Sequence, residues 1–196
     1  HLAKQIHHAV AKANHILLIP HQHPDGDAMG SVAAFMQWLR TLGKAHIAFC
    51  ATAVSPKLGY LPHAEYITSD VSIWTTHRFD LIIVFDSGDL NYAGVAHLIS
   101  AMAEKPAIIN IDHHATNERF GAHNLVNPAA SSTTEVLYEF FTHNRIPITP
   151  EMATCLLTGL MTDTDSFSNA ATTERALSIS ADLVRRGGDI RRIRGA

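Results

Sequence analysis

Cysteine is scarce in this sequence of 196 residues, which contains only Cys50 and Cys155. Both lie in apolar surroundings, so we expect buried free thiols and not a disulfide, as is usual in a reducing cytosol. No apolar run approaches the ~20 residues of a membrane-spanning helix, and no basic-plus-apolar signal segment opens the chain. These absences predict a cytoplasmic protein without a membrane partner.

Charge is sparse as well, at 17% of residues with a formal net charge of −3. The chain therefore has no broad basic surface, and we expect no binding to long nucleic acid through bulk electrostatics. A small phosphorylated ligand held through metal ions stays compatible with this charge. The length and a hydrophobic content of 46% are typical of one α/β domain with a substantial core. Histidine is abundant, with 14 residues, which agrees with metal chemistry.

Short apolar runs alternate with amphipathic segments along the chain. The runs predict strands at Ile16–Ile19, His46–Cys50, Leu81–Phe85 and Ala107–Ile111, and helical spacing predicts helices over about 2–14, 27–42, 95–103, 132–143, 151–162 and 173–187. Residues 51–80 are expected to form only loops and short helical turns. Strands that alternate with helices indicate βαβ units. The predicted fold is therefore α/β, with a mostly parallel sheet flanked by helices on both faces.

Three of the predicted strands lead directly into residue types that bind metals. The residues are His21, Asp25 and Asp27 after the first strand, Asp86 after the third, and Asp112, His113 and His114 after the fourth. Parallel strands end at one edge of a sheet, so these side chains should converge there. Any one of them alone has a structural explanation, such as a helix cap or a surface histidine. Their occurrence at three strand ends favours a metal site.

A further acidic pair, Asp163 and Asp165, follows the predicted helix over 151–162. Carboxylates oppose the helix dipole at a C-terminus, and a nearby cation would offset this. Carboxylate and imidazole ligands without a thiolate indicate Mn²⁺ or Mg²⁺, with Fe or Co as alternatives. The candidate ligands exceed one coordination shell, which favours two ions, the usual arrangement for holding a phosphate and activating water.

The sequence resembles the DHH phosphoesterase superfamily in four motifs. They are His-x-x-Pro-Asp-x-Asp-Ala-x-Gly-Ser over His21–Ser31, a strand ending in Asp86, Asp112-His113-His114, and Gly-x-x-Thr-Asp-Thr over Gly159–Thr164. It is most similar to the bacterial nano-RNase and pAp-phosphatase group, from about Asn14 to Gly188. The resemblance implies one DHH catalytic domain over residues 1–196, with a C-terminal substrate-binding domain of the DHHA1 type absent from this chain.

The resemblance also implies roles for individual residues. Two Mn²⁺ ions are expected, with Mg²⁺ or Co²⁺ as alternatives. One ion would be held by His21, Asp25 and Asp86, and the other by Asp27, Asp86, His113 and Asp163. His114 would face the substrate phosphate, and Asp112 would orient the neighbouring imidazoles. Ser132, Thr133 and Glu135 match a family segment near the substrate, and a helix-capping box explains them equally well.

The activity that the resemblance implies is hydrolysis of short oligoribonucleotides or pAp-like nucleotides by water that a dinuclear metal centre activates. Two alternatives stay open: an inorganic pyrophosphatase, and a non-catalytic nucleotide- or metal-binding module. Asp165 stands where the family often has glycine. In the second alternative, this extra carboxylate makes the metal centre catalytically inactive. A homodimer is also compatible with the sequence.

Overall fold

Five parallel strands form the centre of the molecule, and the computed structural model describes residues 1–196. The strands are β1 (His15–Pro20), β2 (Ala45–Ala48), β3 (Leu81–Phe85), β4 (Ala107–Asp112) and β5 (His123–Val126). The helices are α1 (Leu2–Lys12), α2 (Gly26–Thr41), α3 (Ile73–Thr76), α4 (Ala96–Ser100), α5 (Thr133–His143), α6 (Pro150–Asp163), α7 (Glu174–Arg185) and α8 (Ile190–Arg194). Single turns of 3₁₀ helix occur at Pro56–Leu58 and Ala64–Tyr66.

The strand order is β2-β1-β3-β4-β5, and every neighbouring pair is parallel. The chain runs outward from β1 to β2, returns to β3 beside β1, and then continues to the opposite edge. The order therefore reverses between β1 and β3. In open α/β sheets, ligands bind in the crevice at the carboxyl ends of the two strands that flank such a reversal.

Helices cover both faces of the sheet, as the sequence predicts, although unequally. The larger core packs α1, α2, α5, α6 and α7 against side chains such as Leu18 and Ile83. On the other face, Leu17 and Ile82 pack with Trp74 of α3 and Ile99 of α4. Because both faces are covered, β1 from Ile16 onward and all of β3 are buried, which explains their uninterrupted apolar sequences.

Two glycines allow α2 and α6 to approach closely. A Cβ at Gly30 would overlap the carbonyl oxygen of Cys155, and a Cβ at Gly26 would overlap the Thr162 hydroxyl. Gly26 begins α2 and Thr162 lies near the end of α6, so the two helices run antiparallel. The start of α2 and the end of α6 therefore meet beside the carboxyl edge of the sheet.

Several boundaries differ from the sequence-based expectation. β2 ends at Ala48. The Phe49 amide still donates to the carbonyl of Leu18, and Phe49 also forms an isolated bridge with Thr68. α4 is shorter than predicted, and α8 and β5 were not predicted. β5 is a half-buried edge strand of mixed polarity, so it lacks the apolar run of a buried strand. Cys50 and Cys155 are buried and free, as predicted. None of the helices is both long and apolar enough to span a membrane.

Candidate metal centre

The ends of three neighbouring strands bring the predicted ligands together. His21 follows β1 directly, Asp86 follows β3, and Asp112 ends β4. Asp86 adopts a left-handed conformation with φ of 60°, and its amide donates to the carbonyl of Ile111 at 2.9 Å. The chain thus turns sharply after β3 while its backbone stays bonded to β4. This turn places the Asp86 carboxylate between the ends of β1 and β4.

Asp86 has one carboxylate oxygen near each of two groups of side chains. In the first group, His21 Nε2 lies 3.5 Å from Asp86 Oδ2 and 3.6 Å from Asp25 Oδ1. In the second, His113 Nε2 lies 3.6 Å from Asp86 Oδ1 and 3.6 Å from Asp27 Oδ2.

Asp163 completes the second group, with its Oδ2 3.1 Å from His113 Nε2. The structure therefore brings all six predicted ligands into one cluster. Each group supplies ligand atoms close enough together to hold a metal ion.

Helix termini position the acidic members of the cluster. Asp25 is the N-cap of α2, where its Oδ1 accepts from Ala28 N at 3.0 Å. Asp27 lies in the first turn of α2 and is fully buried. Its two oxygens accept from the amides of Thr133 and Thr134 at 2.9 and 3.0 Å, at the start of α5. The N-terminus of α5 therefore stabilises the Asp27 carboxylate.

The pKa values reflect the crowding of these charges. Burial raises the pKa of Asp27 well above its usual range, and the nearby carboxylates of Asp86 and Asp163 raise it further. Burial also raises the pKa of Asp86. For His21, burial alone would lower the pKa, but the bonds to Asp25 and Asp86 outweigh it and raise the pKa to about 11. Without a cation, the cluster therefore holds protons that offset its negative charge.

The donor set fits a divalent cation. His113 Nε2 is buried and makes no hydrogen bond, although three carboxylates surround it. Its Nδ1 lies 3.4 Å from the carbonyl of Ala130, so in the neutral imidazole a hydrogen on Nδ1 would leave the lone pair of Nε2 free for a cation. A metal ligand is left in this state when its metal is absent: a buried nitrogen lies among carboxylates and makes no hydrogen bond. A bound cation would satisfy both the nitrogen and the carboxylates. Oxygen and imidazole donors suit Mn²⁺ and related ions.

Asp112 and His114 lie beside the cluster as a hydrogen-bonded pair. His114 Nδ1 donates to Asp112 Oδ1 at 2.7 Å, and Asp112 Oδ1 also accepts from His113 N at 2.8 Å. The bond to Asp112 raises the pKa of His114, whose side chain is 47% exposed. Sequence reasoning missed Asn117, whose Nδ2 donates to Asp112 Oδ2 at 2.8 Å. An asparagine in a loop has no distinctive pattern, so no local signal could have identified it.

Ser132, Thr133 and Glu135 lie beneath the carboxylates and are buried. Ser132 caps α5, with its hydroxyl accepting from Glu135 N at 3.0 Å. Thr133 Oγ1 donates to Asp86 Oδ1 at 2.9 Å. The Glu135 carboxylate accepts from the amide and hydroxyl of Ser131 and not from Ser132, so the capping box is only half formed. Contact with substrate stays a prediction for these three residues.

Asp165 lies outside both groups of the cluster. It is exposed, and its carboxylate accepts from the hydroxyl of Ser168 at 3.2 Å. The extra charge that the sequence places after Asp163 therefore faces solvent and does not join the ligands.

Comparison with known proteins identifies relatives of this chain. A bifunctional oligoribonuclease and PAP phosphatase NrnA from Thermus thermophilus is 31% identical over 169 residues, which cover 86% of this chain and 49% of the relative. An exopolyphosphatase-related protein from Bacteroides fragilis superposes with a TM-score of 0.86 at 25% identity, over 97% of this chain and 58% of that one. A family II inorganic pyrophosphatase described as putative, from Methanococcus jannaschii, shares the fold with a TM-score of 0.58 at 16% identity, over 88% of this chain and 56% of that one.

The chain spans about half the length of the curated relatives it matches. Residues 15–160 match the model of the DHH family, N-terminal domain. This match covers most of the chain and includes the ligand-bearing ends of β1, β3 and β4. The chain therefore belongs to the DHH family.

Proposed function

We propose that this chain is the catalytic domain of a metal-dependent phosphoesterase that hydrolyses short oligoribonucleotides and pAp-like nucleotides. The observation that carries the proposal is the position of Asp86, with one carboxylate oxygen toward each of two groups of metal-ligand side chains. The similarity to a relative named for oligoribonuclease and PAP phosphatase activity supports the substrate class.

Two cations would occupy this centre, with Mn²⁺ preferred and Mg²⁺ or Co²⁺ as alternatives. His21 and Asp25 would hold one ion, and Asp27, His113 and Asp163 the other, with Asp86 shared between them. Such a pair of cations, when bound, activates water and neutralises the charge of a phosphate. The amides of α5 hold the Asp27 carboxylate in place for this role and favour its ionised form against the burial that raises its pKa.

His114 would hydrogen-bond the phosphate of the substrate. Its Nδ1 is bonded to Asp112, so Nε2 is the ring nitrogen left for a ligand on a side chain that is 47% exposed. The bond to Asp112 raises the pKa of His114 and so favours the imidazolium form, in which Nε2 would carry a hydrogen to donate to a phosphate oxygen as negative charge develops there. Asp112 itself is held by His113 N and Asn117, which restricts the orientation of His114.

An assay with several substrates tests the proposal. The chain is loaded with Mn²⁺ and offered adenosine 3′,5′-bisphosphate, a diribonucleotide and inorganic pyrophosphate. We expect phosphate or mononucleotide from the first two. Release of phosphate from pyrophosphate alone would favour the pyrophosphatase, and metal or nucleotide binding without any turnover would favour the non-catalytic module.

Two variants that remove the same charge make the assay specific to the centre. Asp86→Asn should abolish turnover, because both groups lose a shared carboxylate. Asp165→Asn serves as the matched control, since Asp165 is exposed and lies outside both groups. Equal activity of these two variants would contradict the proposed centre.

A further inference from the structure

Tyr92, in the loop after β3, combines an unusual exposure with a position beside the candidate metal centre. Its ring stacks on the imidazole of His21, with the ring centroids 5.0 Å apart and the planes 29° from parallel. The residue is nevertheless 53% exposed. The ring therefore packs against His21 while about half of the residue stays open to solvent.

The surrounding backbone holds Tyr92 in place. Its amide donates to Asp89 Oδ1 at 2.6 Å, and its carbonyl accepts from the amide and the side-chain amide of Gln22, each at 3.2 Å. Gly94, with φ of 74°, packs against the Gln22 side chain so closely that a Cβ would lie 2.7 Å from Gln22 Cδ. The exposed ring is thus positioned before any ligand binds, which lowers the entropic cost of binding to it.

The position of the ring suits the base of a bound nucleotide. His21, on which Tyr92 stacks, also faces Asp25 and Asp86 of the candidate metal centre. In a nucleotide, the base and the phosphate are separated only by the ribose. A phosphate bound at the carboxylates would therefore leave the base within reach of the exposed part of Tyr92, and every base has a π-face that can stack on an aromatic ring.

We propose that Tyr92 is a stacking platform for the nucleobase of the substrate and makes this site prefer nucleotides over phosphate esters without a base. The inference rests on the proposed function, because it assumes that a phosphate ester binds at the centre. In this role Tyr92 binds the substrate directly. In a purely structural role, its ring would only support the His21 imidazole.

Binding and turnover of two matched ligands test the platform. The ligands are adenosine 3′,5′-bisphosphate and its abasic analogue, a ribose 3′,5′-bisphosphate without the base. With Mn²⁺ present, Tyr92→Ala should raise both Kd and KM for the nucleotide about 10- to 100-fold, the usual range for loss of one base–aromatic stack. The same variant should leave both constants for the abasic ligand unchanged, and Tyr92→Phe should behave as the wild type.

Tyr66→Ala is the matched control. Tyr66 is 58% exposed and lies beside Arg40, at the end of α2 opposite Asp27. Tyr66→Ala should change neither Kd nor KM for either ligand.

Four results would overturn the inference. Tyr92→Ala could weaken the binding of both ligands by the same factor, or it could lower the Mn²⁺ affinity in a direct titration. Either result would mean that the ring supports His21 and does not bind the base. If the wild type binds the two ligands with equal affinity, or binds neither, there is no platform. Failure of the proposed function is distinguishable, because it would abolish turnover of both ligands while a base-dependent difference in Kd could persist.

Discussion

Replacing Gly159 with Ala tests whether the packing of α6 sets the geometry of the candidate metal centre. A Cβ at Gly159 would overlap the side chain of Thr134 and lie 2.7 Å from Asp27 Oδ1. Neither neighbour is free to move. Thr134 is buried, with its hydroxyl 2.9 Å from the Ser132 hydroxyl, and Asp27 Oδ1 accepts from Thr134 N at 3.0 Å. The added methyl group therefore pushes α6 away from α5 or displaces the Asp27 carboxylate.

Two opposing effects determine the change in stability. Alanine is favoured over glycine in a helix interior by about 1 kcal/mol. Overpacking of a buried contact destabilises by about 1–3 kcal/mol. Because the clash involves a β-branched side chain and a hydrogen-bonded carboxylate, we expect the upper part of that range, with a net loss of about 1–2 kcal/mol in the free energy of unfolding. Displacement of Asp27 should also weaken Mn²⁺ binding by about tenfold or more, the loss usual for residues that position a ligand.

Urea unfolding measures the first effect, and calorimetric titration with Mn²⁺ measures the second. Gly88→Ala is the control, because a Cβ at Gly88 would meet no atom within 4 Å. It should change neither quantity. A Gly159→Ala variant that is more stable than the wild type and binds Mn²⁺ with unchanged affinity would refute the assumption that this contact holds Asp27 in place.

Further predictions concern the cluster itself. Asp86→Ala should lose both cations, since its two oxygens face separate groups, and metal analysis that finds one ion retained would contradict the shared role. His113→Ala should weaken Mn²⁺ binding, whereas His114→Ala should keep the metal and lose turnover by about 10²–10⁴-fold. Equal metal loss in the two variants would reject this division. Mn²⁺ affinity should fall as the pH is lowered, because protons on His21, with a pKa of about 11, and on the buried carboxyls compete with the cation. Calorimetry in two buffers of different ionisation enthalpy should detect the released protons, and an affinity independent of pH would contradict the competition.

The sequence by itself predicted the elements that carry the candidate ligands. The apolar runs of β1 and β3 are a local property, since strands buried on both faces need apolar residues at nearly every position. The run of β4 is mostly apolar and is interrupted only by Asn110 before Asp112. The residues that follow such strands must lie at one edge of a parallel sheet. This geometry made it possible to predict from the chain alone that His21, Asp86 and His113 would meet.

Elements with a weak apolar pattern were missed or were given the wrong boundaries. β5 and α8 were missed because neither has the apolar periodicity of a buried element; β5 is half buried at the edge of the sheet. The boundaries of β2 and α4 were too long for a related reason. Apolar residues continue past Ala48 and Ser100, where these elements end, so the apolar pattern alone does not mark their ends.

Only the tertiary structure decided how the ligands are paired and supported. The bonds from the amides of Thr133 and Thr134 to Asp27 join residues more than 100 positions apart, and they depend on the contact of α6 with α2 and α5. The stacking of Tyr92 on His21 likewise depends on a loop bonded to Gln22. Short-range patterns determine which elements form. Contacts between distant segments depend on how closely the helices can approach, and here glycines within α2 and α6 permit that approach.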